Sequence, residues 1–287
     1  MAPSPLSYRS SMSANQFIEV NARRLAYRSL GDGVPLILCT RFRGNMDLWD
    51  PAFLDALADK GFRVITFDYS GLGLSSGEAT YDPGEMVRDV KDLMHSLELG
   101  RAVVGGWSLG GMVAQLALAM MADRISHVVL LATSPPGPIV KAAEQLFYET
   151  AAHPVTTSED EVILFFEPRD EASRIAARAS AQRIASRQAG HSVAVPWEWA
   201  LKNLGSSPKN PAFPAAAVLD ALRLTSIPVL HIAGDHDIVF PVENWYALNQ
   251  RLPTLQLHTF PRAGHAPHHQ HPQAAAECIA TFVQTTS

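Results

Sequence analysis

Cysteine is scarce in this chain of 287 residues, in which only Cys39 and Cys278 occur. The two lie far apart and each has apolar neighbours in the sequence. Two isolated cysteines exclude a framework of several disulfides. An apolar setting is typical of a buried cysteine that packs as a small hydrophobic side chain.

Positive charge is also in short supply. The chain has 23 lysine and arginine residues against 28 aspartate and glutamate residues, a net charge of −5, and its basic residues form no stripe. Because binding to nucleic acid needs a basic patch or stripe, the composition argues against a nucleic-acid partner.

Long apolar runs are missing as well. No stretch approaches the roughly 18 uninterrupted apolar residues of a membrane span, so we expect no membrane association. Residues 1–15 are rich in serine and lack the apolar centre of a secretory signal, and we expect them to form a disordered tail. Hydrophobic residues nevertheless make up 47% of the chain, which is enough for a large core. A globular, cytoplasmic protein is the prediction.

Strand-like apolar runs alternate with helical patterns along most of the chain. Eight segments have the composition of strands: 17–20, 24–30, 34–39, 62–68, 101–107, 126–132, 227–233 and 254–260. Most of them are separated by helical patterns, which predicts an α/β fold with a mostly parallel eight-stranded sheet and flanking helices. In such a sheet the functional residues follow the carboxyl ends of the strands.

The alternation stops between residues 135 and 225, where helical patterns dominate and no strand is evident. The sequence therefore predicts a core formed by residues 16–134 and 226–287, interrupted by a helical insertion at 135–225.

A nucleophile motif follows the strand at 101–107. Residues 106–110 read Gly-Trp-Ser-Leu-Gly, and a helical pattern begins at once. This is the G-x-S-x-G pattern in the strand–turn–helix setting that gives it meaning, and it makes Ser108 the candidate nucleophile. The alternative is a chance match, since short patterns of glycine and serine are common.

A serine hydroxyl needs a base, and the base needs an acid to orient it. The strand at 227–233 is followed by Gly-Asp-His-Asp at 234–237, and the strand at 254–260 is followed by a segment that ends in His265. These segments give the chain order Ser, Asp, His that is typical of one class of serine hydrolases. Asp235 and Asp237 are both candidates for the acid.

With these motifs the chain resembles the α/β-hydrolase superfamily, in the branch with a helical cap, from about residue 17 to residue 285. The resemblance implies that Asp237 is the acid and His265 the base, with Asp235 as a turn residue. It also implies that the insertion, here called the cap (residues 135–225), folds over the strand ends. No cofactor and no metal are implied, and we interpret His268, His269 and His271 as part of a polar loop rather than as zinc ligands.

The family binds the oxyanion with two backbone N–H groups, one from the residue after the nucleophile and one from the loop after the third strand. These positions are Leu109 and Phe42 here. Many relatives have His-Gly-x-Pro-Gly in that loop, whereas this chain has Thr40, Arg41 and Arg43 in place of the histidine, glycine and proline.

The two arginines of this loop suggest a binding role. Arg41 or Arg43 is a candidate to bind a substrate carboxylate or to polarise a carbonyl oxygen. The alternative is an arginine that points to solvent or pairs with Asp47 or Asp50.

The neighbours of the nucleophile and the aromatic residues of the cap suggest the character of the pocket. Trp107, Met112 and, from the cap, Trp197 are candidate substrate contacts, although aromatics at helical spacing more often serve packing. An apolar or aromatic substrate of modest size is expected.

The leading functional hypothesis is a serine hydrolase, of carboxylesterase or lactonase type, that cleaves a small ester, lactone or similar acyl bond through an acyl-enzyme. The alternatives are a C–C bond hydrolase of a β-diketone-like substrate, a cofactor-free perhydrolase, and a non-catalytic ligand-binding member of the fold. The sequence leaves open the natural substrate and the choice between monomer and homodimer.

Overall fold

A computed structural model of the chain describes residues 7–137, 139–204 and 216–286. Within these ranges eight strands form one sheet: β1 (Gln16–Val20), β2 (Arg23–Leu30), β3 (Val34–Cys39), β4 (Phe62–Phe67), β5 (Ala102–Trp107), β6 (Ile125–Leu131), β7 (Val229–Gly234) and β8 (Leu255–Phe260). Their order in the sheet is β1-β2-β4-β3-β5-β6-β7-β8. Strand β2 runs antiparallel to β1 and β4, and all other neighbours are parallel. The predicted mostly parallel, eight-stranded sheet is confirmed.

The central strands are largely apolar because helices cover both faces of the sheet. Every residue of β5 and β7 is buried. The covering helices are α2 (Pro51–Asp59), α3 (Pro83–Ser96), α4 (Leu109–Met121), α9 (Ala216–Leu224), α10 (Glu243–Tyr246) and α12 (Pro272–Thr285). Helices α3 and α4 contribute to the hydrophobic core on one face, and α2 and α12 to that on the other.

The register of the sheet brings the strand ends that carry the candidate residues together. Cys39 at the end of β3 lies opposite Gly106 in β5. Gly234 at the end of β7 lies opposite Phe260 at the end of β8. The segments that follow these strands therefore meet at one edge of the sheet.

The cap contains four helices between β6 and α9: α5 (Gln145–Ala151), α6 (Ser158–Phe165), α7 (Glu171–Ile184) and α8 (Trp197–Leu204). The described part of residues 135–225 contains no strand. Helix α9 was not predicted, although it lies inside the range assigned to the cap. It packs on α4, where Leu219 and Leu222 join the core, so it belongs structurally to the layer that covers the sheet.

The N-terminal segment differs from the predicted tail. Residues 9–12 form a short helix, α1 (Arg9–Met12), in which Ser10 and Ser11 are buried. The backbone N–H groups of Arg9 and Ser10 donate to the carboxylate of Asp55 in α2, at 2.8 and 2.9 Å. The expectation of a disordered tail is wrong for residues 7–15, because hydrogen bonds to distant residues, which composition does not reveal, fix this segment. The remaining residues of the predicted tail, 1–6, lie outside the described residues.

Within the described ranges, no helix combines the length and the hydropathy that crossing a membrane would require.

Candidate active site

Ser108 occupies the sharp turn between β5 and α4. Its backbone has φ 59° and ψ −119°, in the left-handed half of conformational space that a side chain rarely adopts. Two glycines make the turn possible. A Cβ on Gly106 would lie 2.0 Å from the carbonyl oxygen of Gly110, and a Cβ on Gly110 would lie 2.0 Å from that of Cys39. The surrounding structure holds the turn, since Thr133 Oγ1 donates to the carbonyl oxygen of Ser108 at 2.6 Å.

His265 and Asp237 form a buried pair beyond the ends of β8 and β7. His265 Nδ1 lies 2.8 Å from Asp237 Oδ2, and both side chains are almost completely shielded from solvent. The other carboxylate oxygen, Oδ1, accepts hydrogen bonds from the backbone N–H groups of Val239 and Phe240 at 2.8 and 2.9 Å. These bonds hold the carboxylate in place.

Asp235, the other candidate for the acid, is exposed and contacts the neighbouring His236 instead. The structure thus brings together His265 and Asp237, as the resemblance implied.

The imidazole of His265 is held from several sides. Trp107 Nε1 donates to the backbone carbonyl of His265 at 2.7 Å. The ring of Phe165 lies nearly parallel to the imidazole at 6.2 Å, and the ring of Phe240 lies 5.6 Å away. Ser108 and His265 line the same cavity. Among the described residues, Ser108 Oγ makes no hydrogen bond to His265 within 3.5 Å.

The proposed oxyanion donors also face this cavity. Phe42 and Leu109 are lining residues, and in the described part of the chain neither backbone N–H donates to a protein acceptor. Leu109 is the first residue of α4, so its N–H is free at the helix N-terminus. The arrangement leaves both groups available to a substrate oxygen.

The loop that carries Phe42 has its own turn. The N–H of Gly44 donates to the carbonyl oxygen of Arg41 at 2.9 Å, and Arg43 has φ 54°. Proline, which many relatives have at this position, cannot adopt a positive φ. The departure from the family pattern therefore reflects a different local turn, which Gly44 permits because a Cβ there would lie 2.5 Å from Thr40 Oγ1.

Arg43 connects this loop to the cap. Its guanidinium donates to the carbonyl oxygens of Ala151, the last residue of α5, and of His153, two residues further, both at 3.3 Å. Its backbone N–H donates to Tyr81 Oη at 2.9 Å. Arg43 lines the cavity, but its guanidinium donors are directed to the cap backbone, which is a positioning role rather than the predicted substrate contact.

Arg41 lies deeper. Its guanidinium carbon lies 5.1 Å from the ring centre of Trp107 and 4.5 Å from that of Phe165, and Nη1 donates to the carbonyl oxygen of Phe42 at 2.8 Å. Burial lowers the pKa of Arg41 to about 10. The alternative pairing with Asp47 or Asp50 does not form, because those carboxylates bind Arg28 and Arg183.

The cavity above Ser108 has a volume of about 700 Å³ and is bounded by both the core and the cap. Met112, a predicted substrate contact, lines it, and so do Phe147 and Phe165, two of the aromatic residues of the cap. Other lining residues were not singled out by any sequence pattern: Tyr81, Glu161, Leu164, Val195 and Phe240. Their presence depends on how the cap docks.

Two predicted substrate contacts lie elsewhere. Trp107 is buried behind the cavity, where it packs against Trp49 and His268, and it is not among the lining residues. Trp197 also lies outside the lining and donates from Nε1 to the carbonyl oxygen of Ala152 at 3.2 Å. The structure therefore places neither ring in the cavity wall: Trp107 serves packing, and Trp197 is bound to the cap backbone.

The histidines after His265 do not form a polar loop. His268 and His269 are buried in a short helix, α11 (Pro267–Gln270), and burial lowers the pKa of both, that of His269 to about 4. The ring of His268 packs among Trp49, Phe53 and Trp107. In the ranges that the structure describes, no group of three or more His, Cys, Asp or Glu residues is arranged to hold a metal ion.

A strained serine after β5, a buried His–Asp pair after β8 and β7, and a helical cap over the same cavity coincide with a family match. Residues 34–272 match the family described as the α/β hydrolase fold. The chain belongs to the α/β-hydrolase family. Membership confirms the predicted superfamily and supports the predicted hydrolase class.

This α/β hydrolase has relatives of several descriptions. It is 29% identical over 261 residues to the pimeloyl-[acyl-carrier protein] methyl ester esterase of Nitrosomonas europaea, covering 87% of this chain and 95% of that protein. It is 26% identical over 260 residues to a Mycobacterium tuberculosis protein provisionally named non-heme bromoperoxidase BpoC. This match covers 90% of this chain and 97% of that protein.

Among solved structures, an α/β hydrolase fold protein from Chitinophaga pinensis is 29% identical and superposes with a TM-score of 0.80, covering 96% of this chain and 99% of that one.

Proposed function

We propose that this α/β hydrolase is a serine hydrolase that cleaves a carboxylic ester or lactone through an acyl-enzyme. The observation that carries the proposal is the 2.8 Å contact between His265 and Asp237 beside the same cavity that the strained Ser108 lines. A methyl ester esterase among the relatives supports the choice of an ester bond.

In the proposed reaction Ser108 Oγ attacks the carbonyl carbon and His265 Nε2 takes the hydroxyl proton. Asp237 accepts the hydrogen bond from Nδ1–H, which fixes the tautomer and stabilises the imidazolium. The backbone N–H groups of Phe42 and Leu109 bind the negative oxygen.

Collapse of this intermediate breaks the bond between the acyl carbon and the alcohol oxygen, and the alcohol leaves with the proton from His265. Water then attacks the acyl carbon, and His265 takes a proton from that water. Release of the carboxylic acid returns the proton to Ser108 Oγ.

The lining suggests an acyl group of modest size. Apolar and aromatic side chains form much of the wall, and a cavity of about 700 Å³ falls within the range of ordinary small-molecule sites. We propose a small apolar or aromatic substrate portion next to Ser108.

The proposal is tested by measuring hydrolysis of p-nitrophenyl esters of rising chain length by the wild-type enzyme and by Ser108→Ala. We expect turnover that falls by at least about 10⁴-fold in the variant, since the nucleophile is lost. Turnover of these esters that persists in Ser108→Ala would overturn the proposal.

Product analysis separates the other hypotheses. Cleavage of a β-diketone in the absence of ester turnover would indicate a C–C bond hydrolase, and peracid formed from a carboxylic acid and peroxide would indicate a perhydrolase. Tight binding of ligands without turnover would indicate a non-catalytic member of the fold.

A further inference from the structure

A half-buried arginine with no carboxylate at ion-pair distance among the described residues lines the proposed site. Other shielded arginines of the protein pair with carboxylates, as Arg28 does with Asp47 and Arg183 with Asp50, both at 2.6 Å. Among the described residues, Arg41 has no carboxylate oxygen within 4.0 Å. A buried charge that lacks a partner is costly, which points to a partner supplied from outside.

The donors of Arg41 are only partly used. Nη1 donates to the carbonyl oxygen of Phe42, whereas Nη2 makes no hydrogen bond to any described residue and, unlike Nε, is not sealed from solvent. The rings of Trp107 and Phe165 lie against the guanidinium. A planar guanidinium edge with unused donors matches the two oxygens of a carboxylate.

We propose that Arg41 forms a carboxylate-binding subsite in the cavity that Ser108 lines, and that the substrate is an ester or lactone that also carries a free carboxylate. Monoesters of dicarboxylic acids have this chemistry. This inference rests on the proposed function, because it specifies the substrate of the same site.

Glu161 limits which anion this subsite can take. It lies on α6, lines the same cavity, and its side chain makes no ion pair with any described residue. Burial raises the pKa of Glu161, and the positive charge of Arg41 acts against that rise without cancelling it. A negative side chain in the same cavity opposes a dianionic phosphate more strongly than a carboxylate with a single charge, and this favours the carboxylate.

The subsite is tested with two methyl esters of equal acyl-chain length that differ in one terminal group, a carboxylate or a methyl. The kcat/KM for monomethyl glutarate is divided by the kcat/KM for methyl pentanoate, with methanol release as the readout. The ratio cancels losses that affect both substrates alike. We expect wild type to favour the glutarate ester, and Arg41→Gln to lower the ratio roughly 10- to 100-fold, as the loss of charge-assisted hydrogen bonds requires.

Two further variants make the outcome specific. Glu161→Gln removes the opposing charge and is expected to raise the ratio. If the cavity instead bound a cationic substrate through Glu161, its removal would weaken that binding. Arg24→Gln is the matched control. Arg24 also lies over an aromatic ring, that of Phe17, but it is exposed and outside the cavity lining, so the ratio should not change.

The inference is overturned if the ratio in Arg41→Gln stays within twofold of the wild-type ratio. If Arg41→Gln does not fold, inhibition of wild type by glutaramate, which carries a free carboxylate, and by pentanamide, which carries none, decides the question. The inference then requires glutaramate to bind wild type more tightly than pentanamide, and equal inhibition contradicts it. If methyl pentanoate is hydrolysed and the ratio is the same in Arg41→Gln as in wild type, only the subsite is refuted. If the wild-type enzyme hydrolyses no ester at all, the proposed function is refuted.

Discussion

Replacement of Asp237 by asparagine tests the role of the buried acid at nearly constant size. The structure determines how the new amide must lie, because Oδ1 is fixed by hydrogen bonds from the N–H groups of Val239 and Phe240. The amide oxygen takes that place, and the NH₂ group then faces Nδ1 of His265, 2.8 Å from the present Oδ2. A donor at this position forces the imidazole proton onto Nε2, which can no longer accept the proton of Ser108.

The wrong tautomer is expected to lower kcat about 10⁴-fold, which corresponds to roughly 5.5 kcal/mol in the activation barrier. The free energy of unfolding should change much less, by about 1–2 kcal/mol, because two backbone hydrogen bonds pass from a charged to a neutral acceptor. The assay is steady-state ester hydrolysis, with urea unfolding of the same preparations.

Asp235→Asn is the matched control, since this carboxylate is exposed and lies outside the cavity lining. Its kcat should equal that of wild type. The reasoning is refuted if Asp237→Asn keeps kcat within tenfold of wild type, or if Asp235→Asn shows the larger loss.

Three further predictions concern stability, each measured by urea unfolding. Gly106→Ala places a methyl group 2.0 Å from a backbone oxygen and should lower the free energy of unfolding by about 3 kcal/mol or more. In the control Gly100→Ala, where a Cβ meets nothing within 4 Å, this free energy should change by no more than about 0.5 kcal/mol. Equal losses in the two variants would contradict the clash. Arg183→Met leaves the fully buried carboxylate of Asp50 without its cation and should lower the free energy of unfolding by about 3–5 kcal/mol. A decrease of less than about 1 kcal/mol would refute this prediction. Burial lowers the pKa of His231 to about 3, so below about pH 6.5 the unfolded chain binds a proton at this residue and the folded chain does not. The free energy of unfolding therefore decreases as the pH is lowered, by up to about 1.4 kcal/mol per pH unit. His231→Phe should flatten this slope, and an unchanged slope would contradict the assignment.

Much of the site could be predicted from the sequence because its signals are local. Ser108 lies in a motif that requires glycine at two flanking positions, and His265 and Asp237 follow apolar strands whose carboxyl ends meet by topology. The sheet was predictable for the same reason, since strands buried on both faces read as continuous apolar runs.

The features that the sequence did not reveal depend on contacts between distant segments. Glu161 enters the cavity only because α6 docks over the strand ends, and Arg43 reaches α5 only through the turn that its positive φ creates. Trp197 is the opposite case, a residue that the sequence predicted to contact substrate and that does not line the cavity. Its ring instead donates a hydrogen bond to the cap backbone. Burial of His268 likewise follows from tertiary packing against tryptophan rings, which no local pattern encodes.

The account is tested most directly by the residue that an organophosphate modifies. Diethyl p-nitrophenyl phosphate reacts with an activated serine, transfers its diethylphosphoryl group to the hydroxyl oxygen and releases p-nitrophenol. Intact-mass measurement and peptide mapping then locate the adduct. The account predicts one diethylphosphoryl group per chain, on Ser108, with none in Ser108→Ala and a much slower reaction in Asp237→Asn. No adduct on the folded wild-type protein, or an adduct at another residue, would contradict it.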